Sequence, residues 1–203
     1  MVDVSPAKLY RLFIAISLPE AVKTRIEEAQ AEWRDALGDD QIRWTRREQF
    51  HLTLKFLGGV DAGRLDALAE GLRRAAGAFA PLNLRAERMG FFPDARLPRV
   101  VWVGVHDDRQ SLPSLQRAVE SAAAEFTREQ STEKFAGHVT LGRVKGLSRA
   151  EAEKMSGLAR SMAERRFGEW TADKVEVIRS ELLPQGARYT TLIAIPLAGG
   201  SGS

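Results

Sequence analysis

Two tetrads in the chain have the residue types and spacing for proton-transfer chemistry: His51-Leu52-Thr53-Leu54 and His138-Val139-Thr140-Leu141. The chain holds only three histidines in 203 residues, and two of them open these tetrads. Given the chain's own threonine and leucine content, x-Thr-Leu follows a given histidine by chance roughly once in two hundred. In an extended strand side chains alternate between faces, so a histidine and a threonine two apart share one face while Leu52, Leu54, Val139 and Leu141 turn to the core behind. Each strand then presents one imidazole beside one hydroxyl. Two imidazoles titrating near neutrality can hold one acid and one base. Two hydroxyls donate hydrogen bonds to anionic oxygens. Such a set, converging from two strands, suits a tetrahedral phosphate with an attacking and a leaving oxygen in line.

The charge distribution favours an anionic substrate. The net charge is +3, and two short windows carry all of the excess. Residues 41–60 hold Arg43, Arg46, Arg47 and Lys55 against Glu48, and residues 134–147 hold Lys134, Arg143 and Lys145 with no acid. Each window contains one of the tetrads. There are no cysteines, which excludes a disulfide framework, a thiolate nucleophile, an iron–sulfur cluster and a cysteine-ligated zinc. There is also no His-Glu-x-x-His, no aspartate ladder and no phosphate-binding glycine loop, so neither metal nor cofactor is expected. Phosphoester hydrolysis without a metal needs help from the substrate, and a strained cyclic phosphate supplies it. No stretch approaches the roughly 18 apolar residues of a membrane span, and no secretory leader is recognisable, which points to a cytoplasmic protein.

These groups need elements to hold them. Residues 9–18 read as an apolar strand ended by Pro19, and Val22, Ile26, Ala29, Trp33 and Leu37 then recur at helical spacing. A short extended piece holds Ile42 and Trp44, and residues 51–57 alternate as a strand up to Gly58-Gly59. A second helix, capped by Asp61, carries Leu65, Leu68, Leu72, Ala75 and Phe79, and residues 82–92 return as a strand. The pattern then restarts: strand 100–105, a helix opened by Ser111 and Pro113, strand 138–145, a helix with the capping pair Ser148 and Glu151, and closing strands at 174–183 and 188–197. Ile14 precedes His51 by 37 residues, and Val101 precedes His138 by the same 37. The chain is therefore a duplication, and the fold expected is α+β: two similar lobes about a pseudo-two-fold axis.

The tetrads and their surroundings resemble the 2H phosphoesterase superfamily, named for its two His-x-Thr-x motifs, and within it the RNA 2',3'-cyclic phosphodiesterases, historically called 2'-5' RNA ligases. HLTLKFLG at 51–58, PRVVWVGV at 98–105, HVTLGR at 138–143 and GARYTTL at 186–192 match that family's blocks in its order. The resemblance runs from Leu9 to Leu197 and departs at Gly137, where many relatives carry proline. It implies two antiparallel-rich β-sheets lining a central cleft with helices outside. As one domain over residues 1–198, the first lobe would span about 9–92, the second about 98–183, the closing strand 188–197 and a flexible tail 199–203.

The resemblance also implies a monomer that hydrolyses RNA 2',3'-cyclic phosphate ends to 2'-phosphomonoesters, with weak 2'-5' ligation in reverse. His51 would be the proton donor to the leaving 3' oxygen and His138 the acceptor of the water's proton, while Thr53 and Thr140 would hold the non-bridging oxygens. The residue types alone do not order the two histidines. Arg143 is a further candidate for phosphate; strict alternation places it on the face away from His138, unless Gly142 permits a bulge that re-aims it. Lys55, by alternation, shares the face of His51 and Thr53 and could also meet phosphate. Arg43, Arg46 and Arg47 could track an RNA backbone, against the plainer reading of a solvated loop. Phe135 reads as a core aromatic ahead of a base-stacking one, and His106, without a companion threonine, as a surface turn residue. Two other functions remain open on sequence: the same chemistry on small cyclic nucleotides, and an RNA-end-binding module without catalysis.

Overall fold

The computed structural model describes residues 8–38, 41–128 and 134–199; the expected tail therefore lies outside the described residues except for Gly199, whose N–H donates to the Phe79 carbonyl at 2.9 Å. In chain order the elements are β1 (Leu9–Ser17), α1 (Glu20–Leu37), β2 (Ile42–Trp44), β3 (His51–Asp61), α2 (Leu65–Ala76), β4 (Leu82–Phe92), β5 (Val100–His106), α3 (Ser111–Ala123), β6 (His138–Val144), α4 (Arg149–Ser161), β7 (Arg166–Ala172), β8 (Lys174–Leu183) and β9 (Gly186–Pro196).

The α+β class and the internal duplication are both present. The expectation of two sheets is corrected: the strands form one curled antiparallel sheet of nine strands in the order β7-β4-β5-β6-β3-β1-β8-β9, with β2 paired to the far end of β6 on the edge it shares with β3. The two tetrad strands make the join, and they do so through a single register pair, Leu52 opposite Val139. Two four-stranded halves thus become one sheet at the tetrads themselves. The sequence pattern also gave no strand at β7, which forms an edge beside β4.

The sequence repeats and the spatial halves are different sets of strands. β4 belongs to the first repeat but pairs with β5, and β8 belongs to the second but pairs with β1. The first repeat has handed β4 to the first strand of the second, and the second has handed β8, with β9 beside it, to the first strand of the first. The helices follow the same exchange. α1 and α4 pack behind the β7-β4-β5-β6 half, and α2 and α3 behind the other.

The main core lies between the sheet and these helices. Val22, Ile26, Ala29 and Trp33 of α1 are buried as their helical spacing predicts, and so are Leu68 and Leu72 of α2 and Leu115 and Val119 of α3. Ser148 and Glu151 form the expected capping box of α4. A second, smaller apolar cluster of Phe13, Ala15 and Ile178, flanked by Tyr189, lies on the opposite face of the sheet. That is the face on which the tetrad histidines stand.

Candidate active site

Leu52 and Val139 are both fully buried and point toward the helices. Their neighbours in each strand must then point the other way. The antiparallel pairing sets His51 across from Thr140 and Thr53 across from His138. Directly opposed side chains in such a ladder start from Cβ atoms about 4.5–5.5 Å apart. The four groups therefore form a compact quartet around the local two-fold axis, all half-buried.

Both rings are oriented in the same way. His51 Nδ1 lies 2.6 Å from the Gln49 carbonyl, and His138 Nδ1 lies 2.7 Å from the Ala136 carbonyl. A carbonyl can only accept, so Nδ1 carries hydrogen in each ring. That leaves Nε2 as the nitrogen free to take or give a proton. Burial pushes the His51 pKa down to about 4; its carbonyl partner pulls it back up and the nearby His138 adds to the lowering. Burial also lowers the His138 pKa, again opposed by its carbonyl partner, with the Arg143 charge lowering it further. The cause of the burial is visible. Phe13 lies 4.7 Å from the His51 ring and Tyr189 meets it edge-on at 5.4 Å, whereas His138 has the edge of Phe92 at 4.9 Å. A cleft of about 500 Å³ opens beside His138, lined also by Phe92, Trp102 and Phe135.

Beyond the threonines both strands break their alternation at the same point. In β3 the residue opposite Ala15 is Thr53 and the residue opposite Ile14 is Lys55, so Leu54 is an extra residue. In β6 the partners of Trp102 and Val101 are Thr140 and Gly142, so Leu141 is extra. Each tetrad thus ends in a β-bulge, and the bulge reverses the facing of everything after it.

Two sequence expectations turn on this. Lys55 does not share the face of His51 and Thr53. It is turned toward the helices, only 7% exposed, and ion-paired to Glu120 of α3 at 2.7 Å. Arg143, in contrast, is brought to the His138 face, where it stands exposed. Gly142 takes the inward position, where a Cβ would lie 2.5 Å from Ile42 Cγ2, so no larger residue fits without moving β2.

Sequence reasoning missed the residues that hold the bulges. Gln30, 2% exposed on α1, donates its side-chain amide to the Leu141 carbonyl at 2.9 Å and to the Thr45 carbonyl at 2.8 Å. Gln116, 6% exposed on α3, donates to the Leu54 carbonyl at 3.4 Å, a weaker bond. A bulge takes carbonyls out of the regular ladder, and buried carbonyls need partners. A polar residue standing inside an apolar helical stripe was the signal available. The Ser17 hydroxyl, opposite His51, donates to the buried Glu176 carboxylate, a pair that no sequence pattern marked.

The remaining candidates separate cleanly. Arg47 is spent on Glu20 and Glu27 at 3.0 and 2.8 Å, and Arg46 donates to the Gln185 carbonyl. Arg43 is exposed and stands directly opposite Arg143. Phe135 packs against the core, as expected, while also lining the cleft. His106 is exposed as expected, but it ends β5 and lines that cleft rather than sitting in a turn. Among the described residues no group of three or more His, Cys, Asp or Glu is placed to hold a metal ion.

The family description "LigT like Phosphoesterase" matches residues 16–102 and again 103–189, one match per repeat and each containing one tetrad. The chain belongs to this family. Among relatives of this LigT-like phosphoesterase, an RNA 2',3'-cyclic phosphodiesterase of Methanothermobacter thermautotrophicus is 30% identical over 182 residues, covering 90% of this chain and 96% of that one. The crystal structure of TT0787 of Thermus thermophilus superposes with a TM-score of 0.76 at 28% identity, covering 93% of this chain and 98% of the other. E. coli LigT complexed with 3'-AMP shares the fold, with a TM-score of 0.72 at 24% identity over 94% of this chain and 99% of that one. No described helix of the LigT-like phosphoesterase is long and apolar enough to cross a membrane.

Proposed function

We propose that the protein hydrolyses RNA 2',3'-cyclic phosphate ends to 2'-phosphomonoesters by two-histidine acid–base catalysis. The observation that carries this reading is the quartet: two imidazoles with free Nε2 atoms and two threonine hydroxyls, on one face, at the single point where the two halves meet. The naming of relatives at about 30% identity supports the substrate class.

In the reaction, His138 Nε2 takes a proton from water as the water oxygen bonds to phosphorus. The bond from phosphorus to the 3' oxygen breaks, and His51 Nε2–H gives that oxygen its proton. Thr53 and Thr140 donate to the non-bridging oxygens, and Arg143 offsets their charge. The division of roles between the histidines is taken from the 2H resemblance. Burial holds the His138 pKa below its ordinary value, which favours the neutral form a base needs. His51, with its proton affinity depressed, is a strong acid whenever it is protonated, and the negative charge of a bound phosphate raises that affinity so that the ring takes up its proton from water. No step requires a metal, and a 5'-hydroxyl entering in place of water, with the same two proton transfers, gives weak 2'-5' ligation.

The test is an oligonucleotide ending in a 2',3'-cyclic phosphate, incubated with and without EDTA. The expected product is the 2'-phosphate, formed at the same rate in both. An unchanged cyclic end would overturn the reading. A rate abolished by EDTA and restored by a divalent ion would overturn its two-histidine chemistry.

A further inference from the structure

A groove of about 930 Å³ runs between the β4–β5 connection, the end of β6 and the length of α4. Six cations line it: Arg96, Arg99, Arg143, Lys145, Arg149 and Arg160. Its only acid is Glu153, which is held by Arg149 at 3.0 Å. The other five have no ion-pair partner among the described residues. Asp94, at the rim, has its carboxylate occupied by the backbone N–H groups of Arg96 and Leu97. All six cations are exposed, so the charge is presented rather than spent inside the fold.

The placement of Arg143 gives the groove a direction. It lines the groove and its charge also acts on His138. From Arg143 the cations continue on all three sides of the groove: Lys145 past the end of β6, Arg96 and Arg99 on the β4–β5 connection, and Arg149 and Arg160 on α4. Arg43 adds to them across β6, directly opposite Arg143. Two like charges facing each other on paired strands destabilise a sheet, and no carboxylate relieves this pair among the described residues. A surface that gathers six cations and pairs only one of them with an acid is built for an external polyanion.

We infer that this groove carries the single-stranded RNA on the 5' side of the reacting end, holding its backbone phosphates. The inference rests on the reading of the quartet as a cyclic-phosphate site. It adds that the protein prefers an oligonucleotide to a mononucleotide and that the preference resides in residues 96–99 and 145–160, away from the chemistry. An acidic protein segment would match the sign of the charge, but only a nucleic acid continues from the bound phosphate into the groove.

The test compares the protein with the variant Arg96→Glu/Lys145→Glu/Arg160→Glu on two substrates: a nucleoside 2',3'-cyclic monophosphate and a ten-nucleotide RNA with the same end. The mononucleotide should keep its kcat/KM within about twofold, while the decamer loses tenfold or more at low salt, chiefly through KM. The dependence of log kcat/KM on log salt for the decamer should flatten by about 2, at roughly 0.7 for each single-strand phosphate that the variant no longer neutralises. The neutral variant Arg96→Gln/Lys145→Gln/Arg160→Gln should fall between. Equal losses on both substrates, or no loss on the decamer, would overturn the inference. Fluorescence anisotropy of a labelled decamer ending in a 2'-phosphate separates the two readings. Binding that weakens in the variant, from a protein that hydrolyses neither substrate, would reject the reaction and keep the groove. Equal competition by an acidic peptide of matched charge would reject the groove as an RNA site.

Discussion

His51 and His138 occupy equivalent places on equivalent strands, tethered by the same Nδ1 hydrogen bond to the carbonyl two residues back. What lies just past them is not equivalent. In β3 the bulge turns Lys55 inward and leaves Phe56 outward, 52% exposed beside Phe13, which in turn meets Tyr189. In β6 the same bulge turns Gly142 inward and Arg143 outward beside Arg43. The backbone and the four reacting groups are duplicated, while the outward residues after the bulge are aromatic on one side, Phe56, and cationic on the other, Arg143. A phosphate in transfer is nearly symmetric, but the molecule carrying it is not. Reacting groups can therefore be copies of each other, and orientation must come from the residues that differ.

The largest test of the symmetric part is deletion of either imidazole. His51→Ala and His138→Ala should each lower kcat by about 10²–10⁴, measured on the cyclic-ended oligonucleotide. The double variant should lose less than the product of the two, since both serve one proton-transfer cycle. Full activity in either single variant would end the comparison, because the two strands would not be partners. The asymmetric part is tested next. Arg143→Met should lower kcat/KM about 10- to 100-fold, the worth of a hydrogen bond to a charged group, while Phe56→Met should change it by less than about threefold. Equal effects would mean that the cationic side has no special part in the reaction.

The pH behaviour tests the difference in burial. With His51 near 4 and His138 also below its ordinary 6.5, the singly protonated pair is most populated on the acid side of 6.5. The optimum of kcat/KM should lie there, and that of kcat at higher pH, because bound phosphate favours the protonated rings. Folding responds to the same groups. Unfolded His51 binds its proton near pH 6.5 and folded His51 only near 4. Stability is thus complete above 6.5 and falls as pH drops from 6.5 toward 4, by about 2 kcal/mol once the still-hydrated ring edge is allowed for. Thermal melts should show His51→Gln losing less than the wild type over that window. The smallest effect concerns Lys55. Lys55→Met should cost about 1–2 kcal/mol of stability, since Glu120 loses its partner but can rehydrate, and should leave kcat/KM within about twofold.

The helices, the tetrad strands and the duplication could be read from local periodicity, because apolar spacing records which face of an element is buried. The quartet could be read because histidine and threonine are rare enough for their spacing to stand out. The bulges could not. Leu54 and Leu141 are apolar like their neighbours, and an extra residue in a ladder is a relation between two strands. Strict alternation therefore puts Lys55 on the wrong face. Arg143 could be anticipated only as the alternative that Gly142 allowed. β7 is hidden because Gly168, at φ 136°, and a register shift opposite Ala86 and Glu87 disturb its alternation. The single sheet is also beyond any local pattern, since it depends on one pair 87 residues apart in the chain.

The exchange of β4 and β8 has a consequence for how such a molecule can exist at all. The first repeat taken alone has a first strand, β1, with an open edge and a last strand, β4, with nothing beside it. It can complete its sheet only against another copy, whose last strand would come back in return. That is the geometry of a swapped homodimer, and its folded population would rise and fall with concentration. Joining the two copies through residues 93–99 turns the encounter of two molecules into the closing of a loop. Fusion thereby makes folding independent of concentration, and it leaves each copy free to diverge on its own side of the axis.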